Sequence, residues 1–244
     1  MHTYAIGDIH GHLARLHAAH ALIAADQAQH GTAPIVHVGD LVDRGPDSRG
    51  VIDYLIAGLT AGENWVVLKG NHDRMFALYL RDHAARDPGL RTDLGWLHPR
   101  LGGGATLASY GVANAADRPL HTVFAEARAA VPASHRVFLE ALPTSYRRGT
   151  SIFVHAGLRP GIALEAQTET DLVWIREPFL TDPRDHGALI VHGHTAIAAA
   201  THYGNRLNLD SGAAYGGPLS AVVIEDRAVF LLTAAGRVPL LPVA

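Results

Sequence analysis

Five short apolar runs constrain this chain more than any other feature, because each stops beside a glycine and a side chain able to bind metal. Thr3–Ile6 leads into Gly7-Asp8, and Pro34–Val38 into Gly39-Asp40. Trp65–Leu68 is followed by Lys69-Gly70-Asn71, Ser151–Val154 by His155-Ala156-Gly157, and Ala188–Val191 by His192-Gly193-His194. The runs are short and mostly β-branched or aromatic, so each reads as a buried strand. Apolar residues recur at helical spacing after the first three. They are Leu13, Leu16, Ala19, Leu22 and Ile23, then Val51, Ile52, Leu55, Ile56 and Leu59, then Met75, Phe76, Leu78 and Tyr79. Strands alternating with helices predict an α/β architecture. In open α/β sheets, sites gather beyond the carboxyl ends of strands. Asp, Asn and His at five such ends are therefore the candidate chemistry.

The stretch from about 81 to 145 breaks the alternation. It holds Asp87-Pro88-Gly89, Trp96, Gly102-Gly103-Gly104 and a helical run from His121 to Ala130. It reads as a mainly helical insertion flanking the site, with the triple glycine as a turn. Arg206–Leu209, Leu219–Ile224 and Val229–Leu232 read as successive antiparallel strands. No repeat, linker or low-complexity tail interrupts the chain, so a single domain over 1–244 is expected.

Composition narrows the chemistry. The chain has no cysteine and 17 histidines. Disulfide scaffolds, Cys-ligated zinc ribbons, iron–sulfur clusters and thiol nucleophiles are excluded. A formal charge of -3 gives no nucleic-acid footprint. No apolar run reaches the ~20 residues of a membrane span. The N-terminus lacks a basic segment followed by an apolar one, so a cytoplasmic protein without a membrane partner is expected. His10, His72, His155 and His194 stand in motifs, with His192 beside them. His17 and His20 lack a zinc-protease spacing and read as a solvated helix face. Trp96 and Trp174 read as core or insertion contacts.

Residue chemistry gives each motif a possible role. Asp8 and His10 offer a hard oxygen and an imidazole two residues apart as the chain leaves a strand. Gly39-Asp40-Leu41-Val42-Asp43-Arg44-Gly45-Pro46 carries two carboxylates, of which Asp40 is suited to bridging two cations. Arg44 offers a bidentate grip on phosphate. Asn71 is an oxygen donor, His72 an acid–base group, and Asp73 a helix opener. His155 and His194 add imidazoles. Each motif alone also reads as a turn or a cap. The signal is the ordered set.

Those motifs together resemble the calcineurin-like metallophosphoesterases, and most nearly the bacterial and phage branch of the PPP-type serine/threonine protein phosphatases. The resemblance runs from Ala5 to about Tyr215. It implies a central β-sandwich flanked by helices, with two divalent metal ions at the strand ends. Mn²⁺ heads the candidates, with Fe, Zn and Co as alternatives for a mixed oxygen and imidazole set. Asp8 and His10 resemble ligands of the first ion, Asp40 the bridge, and Asn71, His155 and His194 ligands of the second. His72 resembles the catalytic general acid, Asp43 the carboxylate that orients it, and Arg44 a phosphate-binding arginine. Arg176, in Leu172–Pro178, is the best match for a second arginine, ahead of Arg159. Tyr215 is a loose match for a tyrosine that relatives bring in from a C-terminal loop.

The activity implied is a metal-dependent phosphomonoesterase, specifically a serine/threonine protein phosphatase. A metal-bridging hydroxide would attack a phosphorylated protein, peptide or small-molecule phosphoester. Asp73 stands where the protein phosphatases usually carry Glu. Gly-Asn-His-Asp is also what the symmetrical diadenosine tetraphosphatases show, so dinucleoside tetraphosphate hydrolysis is the alternative. A catalytically silent metal-binding module would lack a ligand or the His–Asp pair, and none is missing. A nuclease or diesterase is a further possibility on this fold class, but an arginine clamp suits the dianionic terminal phosphate of a monoester.

Overall fold

A computed structural model of the protein describes residues 1–243. β1 (His2–Ile6) passes through Gly7–His12 into α1 (Leu13–His30). β2 (Ile35–His37) leads by a longer loop into α2 (Ser48–Thr60), and β3 (Trp65–Val67) turns into α3 (Asn71–Arg81). The expected insertion follows with α4 (Gly103–Ser109), α5 (Leu120–Ala130) and α6 (Ala133–Ala141). Then come β4 (Ser145–Arg148), β5 (Ser151–Val154), α7 (Glu169–Trp174), β6 (Leu189–His192), β7 (Thr201–His202) and β8 (Arg206–Asn208). The described chain closes with β9 (Ala221–Glu225), β10 (Ala228–Thr233) and β11 (Gly236–Pro239).

The strands form two sheets, ordered β11-β10-β9-β1-β2-β3 and β4-β5-β6-β8-β7. Their facing sides make one core, in which Ala5, Val36 and Val222 of the first sheet meet Phe153, Leu189, Val191 and Leu207 of the second. The alternation of strand side chains sends Tyr4, Ile6 and Val223 to the other face, against Leu16, Ile23, Val51, Leu55 and Phe76 of the helices. Ile152, Val154 and Ile190 turn outward from the second sheet, onto Leu172, Ile175 and Phe179. The β-sandwich flanked by helices is therefore present.

Pairing direction matters for the site. β1, β2 and β3 are parallel, as are β5, β6 and β8. The C-terminal strands were expected to be antiparallel throughout. That holds for β9, β10 and β11. It fails for β8, which pairs in parallel with β6, from Ile190↔Arg206 to His192↔Asn208. The two-residue β7 reverses the chain before β8 begins, and periodicity carries no sign of that reversal. The carboxyl ends of both parallel sets meet at one rim. There His155 Nδ1 donates to Val38 O (3.0 Å) and the His194 backbone N–H to Asp8 Oδ2 (2.9 Å).

Two local expectations are corrected. Gly102-Gly103-Gly104 is not simply a turn, since Gly103 already begins α4. Gly102 has φ +87°, and a Cβ there would lie 2.4 Å from the Arg44 backbone nitrogen. Its carbonyl accepts the Arg44 N–H at 3.3 Å, so glycine is needed where the insertion meets the second motif. His20 is not on a solvated face. It is half-buried, stacks on His37 and lies 3.0 Å from it, Nε2 to Nε2. No helix among the described residues is long and apolar enough to cross a membrane.

Phe153 is fully buried between the sheets. Phe153→Ala should lower unfolding free energy by about 3–5 kcal/mol, read from urea denaturation.

Candidate active site

The loops leaving the strands carry unusual backbone. His10, Asp40, Asp43, Arg44 and His194 have φ of 45°, 50°, 74°, 68° and 67°. Non-glycine residues pay a steric cost in the left-handed region, and such strain gathers at functional sites. Here it turns side chains back over the strand ends. Gly193 allows the closest approach, since a Cβ there would sit 1.8 Å from Asp8 Oδ1.

Asp40 lies at the centre. Its Oδ2 is 3.4 Å from His10 Nε2, and its Oδ1 is 3.3 Å from His155 Nε2. Two buried groups share it. His10, Asp40 and His72 form one and Asp40, His155 and His194 the other, with ligand atoms within 4.8 Å of one another in each. Asn71 Oδ1 accepts from His155 Nε2 (3.0 Å) and His194 Nδ1 (2.9 Å). His10 Nδ1 donates to Val42 O at 2.8 Å, which leaves Nε2 directed at Asp40. Asp8 is buried, and its Oδ1 has no hydrogen-bond partner. The structure thus brings Asp8, His10, Asp40, Asn71, His155 and His194 to one rim. An orphaned carboxylate oxygen and a shared central carboxylate fit a pair of divalent cations.

The charge balance points the same way. Burial pushes the Asp8 carboxyl well above its usual range, and nearby Asp210 adds to the rise. Burial, then Asp40, lifts Asp73 to about 7. Burial also opposes the charge on Asp40, but His155 and His72 outweigh it and hold that carboxyl well below its usual range. His155 is driven down by burial yet held at about 9 by Asp40 and the other carboxylates. Burial depresses His10 and His194 strongly, so both are neutral and ready to bind a cation.

His72 donates from Nδ1 to Asp43 Oδ2 at 2.6 Å, and its Nε2 lies 4.0 Å from Asp40 Oδ2. Beside it opens a cleft of about 370 Å³. Arg44, Arg176, Trp174, Thr195, Asp210 and Tyr215 line it. Arg44 Nη1 donates to His10 Nε2 at 2.7 Å, and its guanidinium lies 5.2 Å from the Tyr215 ring. Arg159 is paired with Asp171 and is not among the cleft residues, whereas Arg176 is. Trp174 forms part of the cleft wall, and its indole N–H donates to Asp87 at 2.8 Å. His192 turns elsewhere, to Gly193 O and Arg206.

Sequence reasoning missed Asp210. It is buried, lines the cleft, and accepts the Gly212 N–H at 3.1 Å. Leu209-Asp210-Ser211-Gly212 repeats the pattern of a strand ending in Asp and Gly. The signal was there, but it needed β8 to run parallel to β6.

Comparison with known proteins agrees with this geometry. The sequence model of the family described as calcineurin-like phosphoesterase matches residues 1–223. The chain is 28% identical over 233 residues to serine/threonine-protein phosphatase 1 of Salmonella typhimurium, covering 92% of each chain. It is 26% identical over 204 residues to an asymmetrical bis(5'-nucleosyl)-tetraphosphatase, PrpE, of Anoxybacillus flavithermus, covering 77% of this chain and 74% of that one. In fold it resembles a solved structure provisionally assigned as a diadenosine tetraphosphatase. That match has a TM-score of 0.63 at 23% identity, over 98% of this chain and 94% of the other.

Asp40→Asn should lose bound metal and phosphatase activity together, measured by elemental analysis and turnover on one preparation. A proton on His155 competes with a cation for the same nitrogen. Mn²⁺ uptake by the metal-free protein should therefore release protons and tighten as pH rises toward about 9. Calorimetry in buffers of different ionisation enthalpy checks both.

Proposed function

Because this chain belongs to the calcineurin-like phosphoesterase family, we propose that it is a metal-dependent phosphomonoesterase acting on phosphoserine and phosphothreonine in proteins or peptides. One observation carries the reading. Asp40 lies between His10 (3.4 Å) and His155 (3.3 Å), and His72, paired with the buried Asp43, lines the same cleft as Arg44 and Arg176. We take the ions to be Mn²⁺, held by Asp8, His10, Asp40, Asn71, His155 and His194. When bound they supply an activated water and neutralise phosphoryl charge. Arg44 and Arg176 grip the non-bridging phosphate oxygens and offset the charge that develops on them. His72, oriented by Asp43, gives its Nε2 proton to the leaving alkoxide as the P–O bond breaks.

A second reading keeps the chemistry and exchanges the substrate for a dinucleoside polyphosphate. The PrpE relative favours it. Asp73 does not discriminate between the two. Its oxygens accept the backbone N–H groups of Leu41 (2.9 Å) and Gly70 (2.8 Å), and it is fully buried. The Asp at this position ties two loops together and reads no substrate. The serine/threonine phosphatase relative spans more of both chains, which supports the first reading.

Assay of a phosphopeptide and diadenosine tetraphosphate side by side should give the higher kcat/KM for the phosphopeptide. The reverse order assigns the second reading. EDTA should abolish activity, and Mn²⁺ should restore it best. His72→Asn should retain metal and lose about 10²- to 10⁴-fold in turnover of an alkyl phosphate. Faster cleavage of bis-p-nitrophenyl phosphate than of the monoester would overturn the monoesterase assignment.

A further inference from the structure

The insertion supplies two of the three side chains that donate to the Asp43 carboxylate. Its Oδ2 accepts from His72 Nδ1 (2.6 Å) and from Trp96 Nε1 (2.9 Å), and its Oδ1 accepts from the Thr106 hydroxyl (2.7 Å). Thr106 Oγ1 also accepts the Asp43 backbone N–H (2.8 Å) and lies 3.0 Å from Ser48 Oγ. Asp43, His72, Trp96 and Thr106 are all buried. The Trp96 ring stacks on Phe76 at 5.1 Å and lies 4.7 Å from Tyr79, both on α3, the helix that carries His72. Trp96 therefore packs on the helix that carries one member of the pair and hydrogen-bonds the other.

A carboxylate bonded only to His72 is free to rotate, and the imidazole rotates with it. Donors on both oxygens fix its plane, and charge-assisted bonds are the strong ones. Removing one leaves a buried carboxylate under-satisfied. We propose that Trp96 and Thr106 are positioning residues for the His72–Asp43 pair, so that the insertion sets how well His72 protonates a poor leaving group. The inference rests on the reading of His72 as general acid.

The test uses metal-loaded enzyme and two substrates, p-nitrophenyl phosphate, whose leaving group needs little protonation, and a phosphoserine peptide, whose leaving group needs it. Trp96→Phe keeps the ring and drops the N–H, and Thr106→Val drops the hydroxyl at nearly constant shape. Each should lower kcat on the peptide about ten- to hundredfold and leave its KM and the aryl phosphate turnover within about threefold. Thr106→Ser returns the hydroxyl and should restore peptide turnover. Equal losses on both substrates, a change confined to KM, or no loss would each overturn the proposal. His72→Asn is the control. If it shows no leaving-group bias, the general-acid reading falls and the inference with it. If it shows the bias and the insertion variants do not, only the inference falls.

Discussion

Asp8, Asp40, Asp73 and Asp210 are buried at the rim where the two sheets meet. Each ionised carboxylate taken out of water costs several kcal/mol unless it is paired and hydrogen-bonded. Backbone N–H groups cover part of this, with His194 donating to Asp8, His72 to Asp40, and Leu41 and Gly70 to Asp73. The imidazolium of His155 covers more. Asp8 Oδ1 is left with no partner. This crowding of buried carboxyl groups, three of which burial pushes toward the neutral form, is the constraint on which the rest depends. It accounts for the parallel sets β1-β2-β3 and β5-β6-β8 ending at one edge, and for the left-handed backbone of the loops at His10, Asp40 and His194. A loop in ordinary conformation would carry these side chains away from the centre that balances them.

That constraint also separates what the sequence discloses from what it hides. Strand ends are legible because a run such as Trp65–Leu68 must stop where a glycine and a polar side chain begin, and all five such runs are strands. The polar residues at those ends converge on Asp40. Direction and depth are not legible. Arg206–Asn208 reads equally well as a parallel or an antiparallel strand, and Asp210 gains its place only from the parallel pairing. His20 lies on a helix whose apolar face extends over His37 and Trp65. One aromatic nitrogen more or less does not change a helical periodicity. Trp96 has the composition of a core residue, and it is one. Its indole N–H reaching a carboxylate 53 positions earlier in the chain leaves no local trace.

The insertion shows why burial and function are hard to tell apart here. Asp87 is buried and accepts from Nε and Nη2 of Arg74, each at 2.6 Å, from the indole N–H of Trp174 at 2.8 Å, and from the Gly89 N–H at 2.8 Å. A buried ion pair of this kind is weak evidence for stability, because desolvation consumes much of the attraction. Its geometry is more informative. Arg74 lies two residues beyond His72, and Trp174 two residues before Arg176. A single carboxylate from the insertion thus ties the helix carrying the proposed acid to the segment carrying the proposed phosphate clamp.

Rigidity at the back of the cleft and openness at its front follow from the same division of labour. Asp43, His72, Trp96 and Thr106 are locked among donors and aromatic rings, where a small shift would misdirect a proton. Arg44 and Tyr215 face the other way. Arg44 is half-buried, and it donates to His10 at the nitrogen a cation would take. It must leave that position once His10 binds a cation, and the nearby cleft, lined also by Arg176, offers a place for its charge. A neutral residue would not compensate the carboxylates before cations arrive. A guanidinium does so, and under the proposed function it is also free to meet the phosphate, because the same planar donors serve an imidazole nitrogen and a phosphoryl oxygen. The arginine of the second motif therefore belongs to the charge balance of the site as well as to the phosphate recognition proposed for it.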